Sequence, residues 1–399
     1  MAFIDFKESL NILKNIELSK MQTVEVEIIE SLGYVLADDI VANENSPSEP
    51  TSAMDGYAFI YDDGREKLKI SGINPAGAEN LLEVKKGECI KTFTGSLMPA
   101  CSDTLIPIEN VEVVDDEIII KVPIKKSSNV RAIGENYAKG ELVIPKGTQI
   151  DFSQIGVMSS LNMAKAKVYR KPIVGIFATG SELLDIGEEQ TLSSQIRSSN
   201  HLTLQAIAKK YGGNPLQFGC IKDDKDSITK MMHEAIEKSD IVVTSGGVSV
   251  GDYDFVKDVI KEIGFEVLFQ GVNLKPGQHV ILARKNDKFI LGLPGFAYSC
   301  TVTALLYLLQ LIGKFMNTSN FLQAVKARLA EPYIKRSQKT EFIACSYRLL
   351  NGKYEIDFSD KKLGTSAILT NMLGHAALLK LDPSESQKNC GDEVDILLF

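Results

Sequence analysis

The sequence has few of the residues that build metal or disulfide frameworks, and it lacks an excess of positive charge. Its six cysteines form no C-x-x-C pair and do not cluster along the chain with the four histidines. This spacing is evidence against a structural zinc site and against disulfides, and it favours reduced thiols in a reducing compartment. The formal net charge of −8 makes nucleic acid an unexpected partner, because proteins that bind it usually carry a basic surface.

Long hydrophobic runs are also missing. The N-terminal segment 1–6 has no basic stretch followed by an apolar core, so no signal peptide is expected. The most apolar stretch, Thr301–Gly313, is shorter than the roughly 20 residues that a bilayer requires, and it predicts a buried helix. We therefore expect a cytoplasmic protein with no membrane partner.

What remains is the composition of an ordinary folded protein, 44% hydrophobic and 24% charged. At about 150 residues per domain, the length predicts roughly two to four domains. The expected fold class is multi-domain α/β plus β. The expected domains are a discontinuous, elongated helical N-terminal domain at 1–44 and 139–171, an inserted β-rich domain at 45–138, an α/β domain at 172–316 and a C-terminal β domain at 317–399.

Apolar spacing predicts helices outside the α/β region. One helical segment is expected over 3–42, with a second stretch running from Ile28 to Leu36. Another helix is expected at 151–165, capped by Asp151. Near the C-terminus, apolar runs on both sides of Asn351-Gly352 predict a hairpin with a type I′ turn.

From residue 172 to 316, apolar strands alternate with amphipathic helices. The strands are expected at Ile173–Ala178, Leu216–Ile221, Asp240–Thr244 and Lys288–Leu293. This alternation is typical of a doubly wound α/β domain with a largely parallel sheet. Such sheets bind ligands beyond the carboxyl ends of their strands.

Three glycine-bearing loops directly follow predicted strands of this domain. The first glycine loop is Thr179–Leu183, the second is Ser245–Asp254 and the third is Leu293–Gly295. Glycine allows the backbone to approach an anion, and the helix that follows offers free N–H groups. One such loop alone favours a plain turn, whereas three at one end of a sheet favour a phosphate-bearing ligand. The second loop is not a P-loop, because Asp252 stands where a P-loop requires lysine.

Acidic residues accompany these loops, namely Glu182, the pair Asp223-Asp224, and Asp254. Each alone is compatible with a helix cap or a solvated charge, and Asp254 is an N-cap candidate. Together with phosphate-type loops they suit Mg²⁺, which proteins hold with one or two carboxylates plus substrate phosphates. Lys275 offers a countercharge.

Two loops far upstream present a carboxylate and a hydroxyl. Asp55 lies in the string S-A-M-D-G-Y-A at Ser52–Ala58, and Thr94 opens the string T-G-S-L-M-P. From physical chemistry alone, both are turns. No Ser–His–Asp arrangement is indicated, because His201 and His233 fall within predicted helices as solvated side chains.

In their order along the chain, these strings resemble those of the molybdopterin molybdenumtransferases, the bacterial MoeA family, which is similar to the E-domain of gephyrin. The string around Asp55 is specific, whereas the α/β loops also occur in molybdopterin adenylyltransferases and in competence/damage-inducible proteins. The strings that carry the resemblance are Ser52–Ala58, Thr94–Pro99, Thr179–Leu183, Ser199-Asn200, Ser245–Gly251, Lys275–Gly277 and Leu293–Gly295.

The resemblance implies an activity, a cofactor and partners. Members of the family insert molybdate into adenylated molybdopterin and release AMP, and they require Mg²⁺. They act as homodimers whose active site is shared between subunits, and the adenylyltransferase that supplies the substrate is a further implied partner. Whether molybdate or tungstate is the metal source stays open.

The resemblance also assigns roles to residues of this sequence. Asp55 and Thr94 would complete the active site in trans. The implied catalytic residues are Asp55, Thr94, Glu182, Asp254 and Lys275, and Mg²⁺ would be held by Glu182, Asp223 or Asp224, and Asp254. The residues implied to bind substrate are Gly180, Ser199, Asn200, Gly246, Gly247, Ser249, Gly251, Pro294, Gly295 and Ser366.

The chain departs from the family pattern at several charged or polar positions. These departures bear on the affinity and activity of the anion site and not on the fold. The motif K-P-G-K ends in Gln278, L-P-G-N-P ends in Phe296-Ala297, G-E-D ends in Asn136, D-S-N begins with Ser198, and the arginine that often follows the C-terminal F-x is Ala344.

Two other functions are compatible with parts of the chain. A pterin adenylyltransferase, or a nucleotide-cleaving enzyme of the damage-inducible type, would need only the α/β domain, and the loops of Asp55 and Thr94 count against it. A non-catalytic scaffold similar to the gephyrin E-domain is compatible with the missing charges, but no segment of the sequence marks a peptide groove.

Overall fold

The computed structural model describes residues 3–62, 64–78, 82–249, 254–319 and 321–399. The chain divides into two units. The first comprises Met1–Ala37, Gln149–Asp151 and Lys165–Phe399, and the second comprises Asp38–Thr148 and Phe152–Ala164. A multi-domain α/β plus β fold is therefore present, while the four domain boundaries given above stay a prediction.

A six-stranded sheet forms the centre of the α/β region in the first unit. The first three strand pairings are parallel and the last two are antiparallel, so the predicted, largely parallel sheet is confirmed. Val174 and Ile176 enter one hydrophobic core and Phe177 another, because helices cover both faces. The strand order is Asn214–Ile221, Ile173–Thr179, Ile241–Ser245, Lys288–Leu293, Ile281–Lys285 and Glu266–Gln270.

Amphipathic helices supply these two cores, as the sequence pattern predicts. The helix Asn200–Lys210 shares one core with the helical segment 297–316, and the helices Lys225–Lys238 and Val256–Glu262 share the other. Each helix follows a strand of the sheet, which is the doubly wound arrangement.

The most apolar helix runs from Ala297 to Met316, with a π-helical turn at Ala304–Leu308. By length and composition it is long enough to cross a membrane, yet 89% of its most apolar window is buried within the protein. The predicted buried helix is confirmed. The helix extends beyond the apolar stretch Thr301–Gly313, because less apolar residues continue it at both ends.

The N-terminal region contains one helix, Phe6–Lys14, as predicted. The second predicted helical stretch is wrong. Thr23–Glu27 is a strand that pairs antiparallel with Lys165–Tyr169, and only the 3-10 turn Ile28–Ser31 follows it. The alternating sequence T-V-E-V-E suits a strand, and its partner lies far along the chain, so local apolar spacing does not reveal the pairing.

The C-terminal region is a β structure in which the strand pairings form a closed ring. Five strands pair in the ring Thr340–Leu350, Lys353–Asp357, Gln323–Leu329, Glu393–Leu398 and Ala376–Leu381, and we call this ring the barrel. The predicted hairpin is confirmed, since Asn351 and Gly352 have φ of 50° and 76°, as a type I′ turn requires.

One further strand joins the barrel to the α/β region. Val272–Lys275 pairs in parallel with Ile4–Asp5 on one side and with the barrel strand Thr340–Leu350 on the other. In this register Lys275 lies opposite Glu341.

The second unit is built on a six-stranded sheet and the predicted helix, which spans Phe152–Ser160. The strand order is Thr104–Pro107, Gly56–Phe59, Glu88–Thr92, Lys67–Asn74, Glu117–Ile120 and Val111–Val114. The remaining short elements of the two units are Ile40–Val41, Thr51–Ser52, Ile108–Asn110, Val130–Arg131, Leu142–Ile144, Leu183–Leu184, Ile196–Arg197, Tyr333–Ile334, Leu369–Met372 and Gln387–Lys388.

Candidate functional site

The three glycine loops lie at the carboxyl edge of the α/β sheet, as predicted. The backbone N–H of Gly246 in the second loop donates to the carbonyl of Leu293 in the third, at 3.0 Å. A Cβ placed on Gly295 would lie 3.7 Å from the Cα of Gly246. The first loop is tied to the neighbouring strand, because the N–H of Gly180 donates to the carbonyl of Ile221 at 3.1 Å.

The second loop requires glycine at two successive positions. Gly246 and Gly247 have φ of +92° and +66°, in the left-handed region that side chains disfavour. A Cβ on Gly246 would lie 2.5 Å from the carbonyl oxygen of Thr179. The Thr179 hydroxyl is itself buried and has no hydrogen-bond partner among the described residues. A buried hydroxyl and a half-buried glycine turn therefore meet where an anion is expected.

The predicted residues at the start of the helix Asn200–Lys210 reach the third loop. The side-chain amide of Asn200 donates to the carbonyl of Gly295 at 2.7 Å, and Ser199 occupies the N-cap position. This contact fixes the third loop against the helix, so these predicted binding residues lie at one edge of the sheet.

Two of the predicted acidic residues flank the first loop. The carboxylate of Asp223 accepts from the N–H of Ser181 at 3.2 Å, and the Ser181 hydroxyl accepts from the N–H of Asp223 at 3.3 Å. Glu182 is exposed in the same loop, and a Cβ on Gly180 would lie 2.9 Å from its carboxylate oxygen. Glu182 and Asp223 therefore offer hard oxygen atoms at the loop edge, which is the ligand type that Mg²⁺ prefers.

Asp224 has a structural use instead. Its carboxylate accepts from the N–H of Ser227 at 2.8 Å and so caps the helix Lys225–Lys238. The hydrogen bonds from Ser227 lower the pKa of this carboxyl below its ordinary value. Of the two neighbouring aspartates, Asp223 is the one whose carboxylate lies against the first loop.

The later part of the second loop is only partly described. Gly251 and Asp252 lie outside the described residues. Asp254 is half-buried before the helix Val256–Glu262, but the N-cap position is Phe255, so the N-cap interpretation of Asp254 is wrong by one residue. The carbonyl of Ser249 accepts from the ammonium of Lys257 at 2.5 Å, which adds a cation that sequence reasoning missed.

A cavity of about 430 Å³ opens beside the third loop, between the α/β region and the barrel. Three predicted residues line it, namely Lys275, Pro294 and Ser366. Two further lysines also line it, Lys339 and Lys362, which the sequence motifs did not single out. No local signal marks them, because they come from loops of the C-terminal region that only the folded chain brings here.

Lys275 is held in place by a buried carboxylate. Its ammonium lies 3.2 Å from Glu341, which is 2% exposed and also accepts from the hydroxyls of Ser337 and Tyr333 at 2.7 and 3.2 Å. The Lys275 side chain is 47% exposed. The carboxylate therefore orients an ammonium that still faces the cavity.

The departure at Gln278 has a compensating partner in this cavity. The ammonium of Lys339 donates to the side-chain oxygen of Gln278. The neighbouring His279 has its pKa lowered, first by burial and then by the charge of Lys339. A positive charge thus stands beside residue 278, although the motif lacks its second lysine.

In the second unit, Asp55 and Thr94 come together from separate loops. One carboxylate oxygen of Asp55 accepts from both the N–H and the hydroxyl of Thr94, each at 2.8 Å. These bonds lower the pKa of Asp55, so the carboxylate is charged at neutral pH. The pairing joins the two upstream motifs into one oriented, exposed group.

The histidines differ from the prediction in one case. His233 is exposed on its helix, as expected. His201 is buried instead, with its ring between Ser198, Asp185 and Cys220. Although cysteines and histidines do not cluster along the chain, the edge strand Asn214–Ile221 brings Cys220 beside this helix. All six cysteines are free thiols, as predicted.

The fold and the sheet-edge loops define a multi-domain α/β protein with glycine loops at the carboxyl edge of its parallel strands. Residues 175–314 match the family model described as "Probable molybdopterin binding domain", and residues 4–162 match "MoeA N-terminal region (domain I and II)". The chain is 31% identical to a molybdopterin molybdenumtransferase of Staphylococcus aureus, covering 99% of this chain and 95% of that relative. It therefore belongs to the molybdopterin molybdenumtransferase family, which confirms the resemblance described above.

Further relatives and solved structures agree. A molybdopterin molybdenumtransferase of Staphylococcus epidermidis is 30% identical, over 95% of this chain and 92% of the relative. The crystal structure of a molybdopterin biosynthesis MoeA protein of Pyrococcus horikoshii covers 100% of both chains, with a TM-score of 0.84 and 28% identity. A molybdenum cofactor biosynthesis protein of Pyrococcus furiosus shares the fold at a TM-score of 0.61 and 17% identity, again over 100% of both chains.

Proposed function

We propose that this protein inserts molybdate into adenylated molybdopterin and releases AMP, as a Mg²⁺-dependent transferase in the cytoplasm. The observation that carries the proposal is the third glycine loop. Its Gly295 lies against the second loop, and its Pro294 lines the lysine-bearing cavity. The third loop therefore lies next to both the glycine-loop edge, which suits a phosphate, and the cavity, which is lined by lysines. This arrangement suits the proposed reaction because both of its reactants are anions.

The proposed reaction requires groups that compensate the negative charge of the reactants and groups that orient the reactants. A phosphoanhydride bond of the adenylated pterin is cleaved, and negative charge grows on the AMP that leaves. In the loops around Gly180, Gly246 and Gly247, backbone N–H groups other than those of Gly180 and Gly246, which already donate to carbonyl oxygens, would bind phosphate oxygens. Lys275 and Lys339 would bind the molybdate oxyanion in the cavity, together with the hydroxyl of Ser366.

We infer that Glu182, Asp223 and Asp254 hold Mg²⁺. Their carboxylate oxygens suit this hard cation, and Glu182 and Asp223 belong to the same loop edge. When bound, Mg²⁺ neutralises charge on the phosphates and on the departing oxygen. Asp224 is left out of the ligand set, because its carboxylate caps a helix.

Asp55 and Thr94 would complete the site from the other subunit of a homodimer. The support is chemical, because Thr94 orients a charged, exposed carboxylate with two hydrogen bonds. In addition, Asp55 belongs to the string whose resemblance to the family is specific. Such a carboxylate would orient the attacking group or hold the metal on the partner's loops. The adenylyltransferase that supplies the substrate is a further proposed partner.

The test is an assay of the full-length protein with adenylated molybdopterin, molybdate and Mg²⁺. We expect AMP release coupled to metal insertion; a wild-type enzyme that releases no AMP would overturn the function. Asp55→Asn should abolish turnover without unfolding the chain, whereas Asp116→Asn, which alters another exposed carboxylate of the second unit, should leave turnover unchanged. Unchanged turnover in Asp55→Asn would remove Asp55 from the site.

Mixed dimers test the shared site. Subunits carrying Asp55→Asn and subunits carrying Gly246→Ala are each expected to be inactive alone. If the site is shared in trans, a mixed dimer contains one site with both residues intact, so mixing should restore part of the activity. No recovery in verified mixed dimers would place both residues in the same subunit's site.

The alternative functions have less support. An adenylyltransferase-type enzyme needs only the α/β domain, whereas this chain matches family models in both its N-terminal and its α/β regions. In the assay, a scaffold would release no AMP. Transfer of an adenylyl group to molybdopterin, in place of AMP release, would favour the adenylyltransferase.

A further inference from the structure

A second group of metal-binding side chains lies outside the loop edge that we assign to Mg²⁺. Asp185, His201 and Cys220 each present a ligand atom, and these three atoms lie within 4.8 Å of one another. They come from three elements: the loop after the short strand Leu183–Leu184, the first turn of the helix Asn200–Lys210, and the end of the edge strand Asn214–Ile221. The proposed transferase chemistry uses none of the three.

The ring of His201 is oriented on both sides. Its Nε2 lies 3.2 Å from a carboxylate oxygen of Asp185, and its Nδ1 lies 2.8 Å from the hydroxyl of Ser198 and 3.7 Å from the Sγ of Cys220. A carboxylate accepts only, so in the neutral ring Nε2 carries the proton and the Nδ1 lone pair accepts from the Ser198 hydroxyl, with the Cys220 Sγ next to it. An ion that binds Nδ1 would displace this hydroxyl. Histidines that ligate metals are held in this way, with the second N–H donated to a carboxylate.

The spacing of the two candidate ligand atoms suits zinc. With Zn–S of about 2.3 Å and Zn–N of about 2.0–2.1 Å at a tetrahedral angle, the sulfur and nitrogen atoms are about 3.6 Å apart. The distance from the Cys220 Sγ to the His201 Nδ1 is 3.7 Å. An ion can therefore bind both atoms without backbone movement, and thiolate with imidazole is a ligand pair that Zn²⁺ favours.

The surroundings of the pair supply charge balance and access. The carboxylate of Asp185 lies 3.2 Å from Nε2 of the ring and within 4.8 Å of the Cys220 Sγ, so a negative charge stands near the ligand pair. The His201 side chain is 1% exposed and that of Asp185 is 40% exposed. An ion would enter past Asp185, and water from that side would fill its remaining coordination positions.

We propose that Cys220 and His201 bind one Zn²⁺-class cation, with Asp185 holding the imidazole and balancing the charge. Binding releases the thiol proton of Cys220 to solvent and forms bonds from Sγ and Nδ1 to the ion, with no change of oxidation state. The ion ties the edge strand to the start of the helix Asn200–Lys210.

The location connects this site to the glycine loops. Cys220 precedes Ile221, whose carbonyl accepts from Gly180, and His201 follows Asn200, which holds Gly295. A bound ion would therefore stabilise the segments that position the first and third loops. This is a structural effect, and it does not depend on the proposed transferase activity.

The test uses the full-length protein stripped of metal with a chelator, and Co²⁺ as a spectroscopic probe for the zinc site. We expect one equivalent of Co²⁺ to give a thiolate-to-metal absorption band in the near ultraviolet, which added Zn²⁺ removes. Cys220→Ser should lose the band, while Cys101→Ser, which changes an exposed cysteine, should retain it. Zn²⁺ should raise the Tm of the wild type and not that of Cys220→Ser.

A further variant weakens metal binding without removing a ligand atom, so that loss of the metal can be distinguished from loss of folding. Asp185→Asn leaves both ligand atoms in place, and the loss of a residue that orients a ligand typically weakens metal affinity by about 10–100-fold. We expect Asp185→Asn to keep the band but to require more Co²⁺. Absence of the band in the wild type at saturating Co²⁺, or an unchanged band in folded Cys220→Ser, would overturn the proposal.

Discussion

The glycine-loop edge and the neighbouring cavity offer binding groups of different kinds to the anions of the proposed reaction. At the loop edge, the groups on offer belong to the backbone. Glycine is required at position 246, because a Cβ there would lie against the carbonyl oxygen of Thr179. In the cavity, the groups on offer are the ammonium groups of lysine side chains. These lysines, such as Lys275 and Lys339, come from separate segments of the chain. Anion binding by backbone groups depends on the conformation of the loop, whereas anion binding by lysine side chains depends on the net positive charge in the cavity.

Two of the departures from the family pattern lie on the cavity side of this comparison. Gln278 and Ala344 both line the cavity, where another lysine can restore a charge. Ala344 is buried, and its N–H donates to the hydroxyl of Tyr298 at 2.8 Å, so the position remains part of an ordered wall. Gly246 and Gly247 of the second loop match the family, because no substitution elsewhere can replace their backbone conformation.

The largest effect is expected at the loop edge. In Gly246→Ala, the added Cβ would lie 2.5 Å from the Thr179 carbonyl, so the second loop must shift. A displacement of this size should lower the rate of AMP release by about 100-fold or more. The matched control is Gly264→Ala, another positive-φ glycine, whose Cβ would meet only the flexible end of Lys285 at 3.6 Å. Equal losses in both variants would mean that backbone strain, and not the close approach to Thr179, is responsible.

A smaller effect is expected in the cavity. Lys339→Gln should raise the KM for molybdate by roughly tenfold, because it removes one charge-assisted hydrogen bond of about 1.5 kcal/mol. Moving the lysine back to the motif, in the double variant Gln278→Lys/Lys339→Gln, should restore most of the affinity. If the double variant stays as weak as Lys339→Gln, the two positions are not interchangeable and the compensation is wrong. Steady-state kinetics of AMP release measure both.

The smallest effect distinguishes a helix cap from a metal ligand. Asp224→Ala should lower the Tm by roughly 1–2 °C through loss of the cap, whereas Asp224→Asn keeps a capping oxygen and should not. Neither should change the Mg²⁺ concentration for half-maximal activity, while Asp223→Asn should raise it. A shift in the Mg²⁺ requirement of Asp224→Asn equal to that of Asp223→Asn would return Asp224 to the ligand set.

The cap effect has a defined pH dependence. The folded protein lowers the pKa of Asp224 below its ordinary value of 3.8, so the carboxylate stabilises the fold at pH values above 3.8 and loses this effect as the pH falls through the lowered pKa. The Tm difference between wild type and Asp224→Ala should therefore be present at neutral pH and shrink in acid. A difference that persists in acid would show that the charge of Asp224 is not its source.

Features fixed by short stretches of sequence could be predicted. The strand-to-loop boundaries at Thr179, Ser245 and Leu293 follow from apolar runs that end in glycine, and the hairpin follows from Asn351-Gly352. These signals are local, since they depend on backbone conformation and burial of a few successive residues.

Features fixed by distant partners could not be predicted. Thr23–Glu27 is a strand because Lys165–Tyr169 pairs with it. His201 is buried because an edge strand and a loop cover it, although its helix was expected. Lys339 joins the cavity because the strand that follows it pairs beside Lys275. In each case the decisive contact joins segments far apart in sequence.

The strand Val272–Lys275 gives the cavity an unexpected dependence on the beginning of the chain. Ile4 is its neighbour on one side, and Thr340 on the other. The alignment of Lys275 is thus maintained by main-chain pairing with two segments that are distant in sequence. We therefore expect sequence changes around Ile4 to shift Lys275 and to weaken the proposed binding of an oxyanion in the cavity.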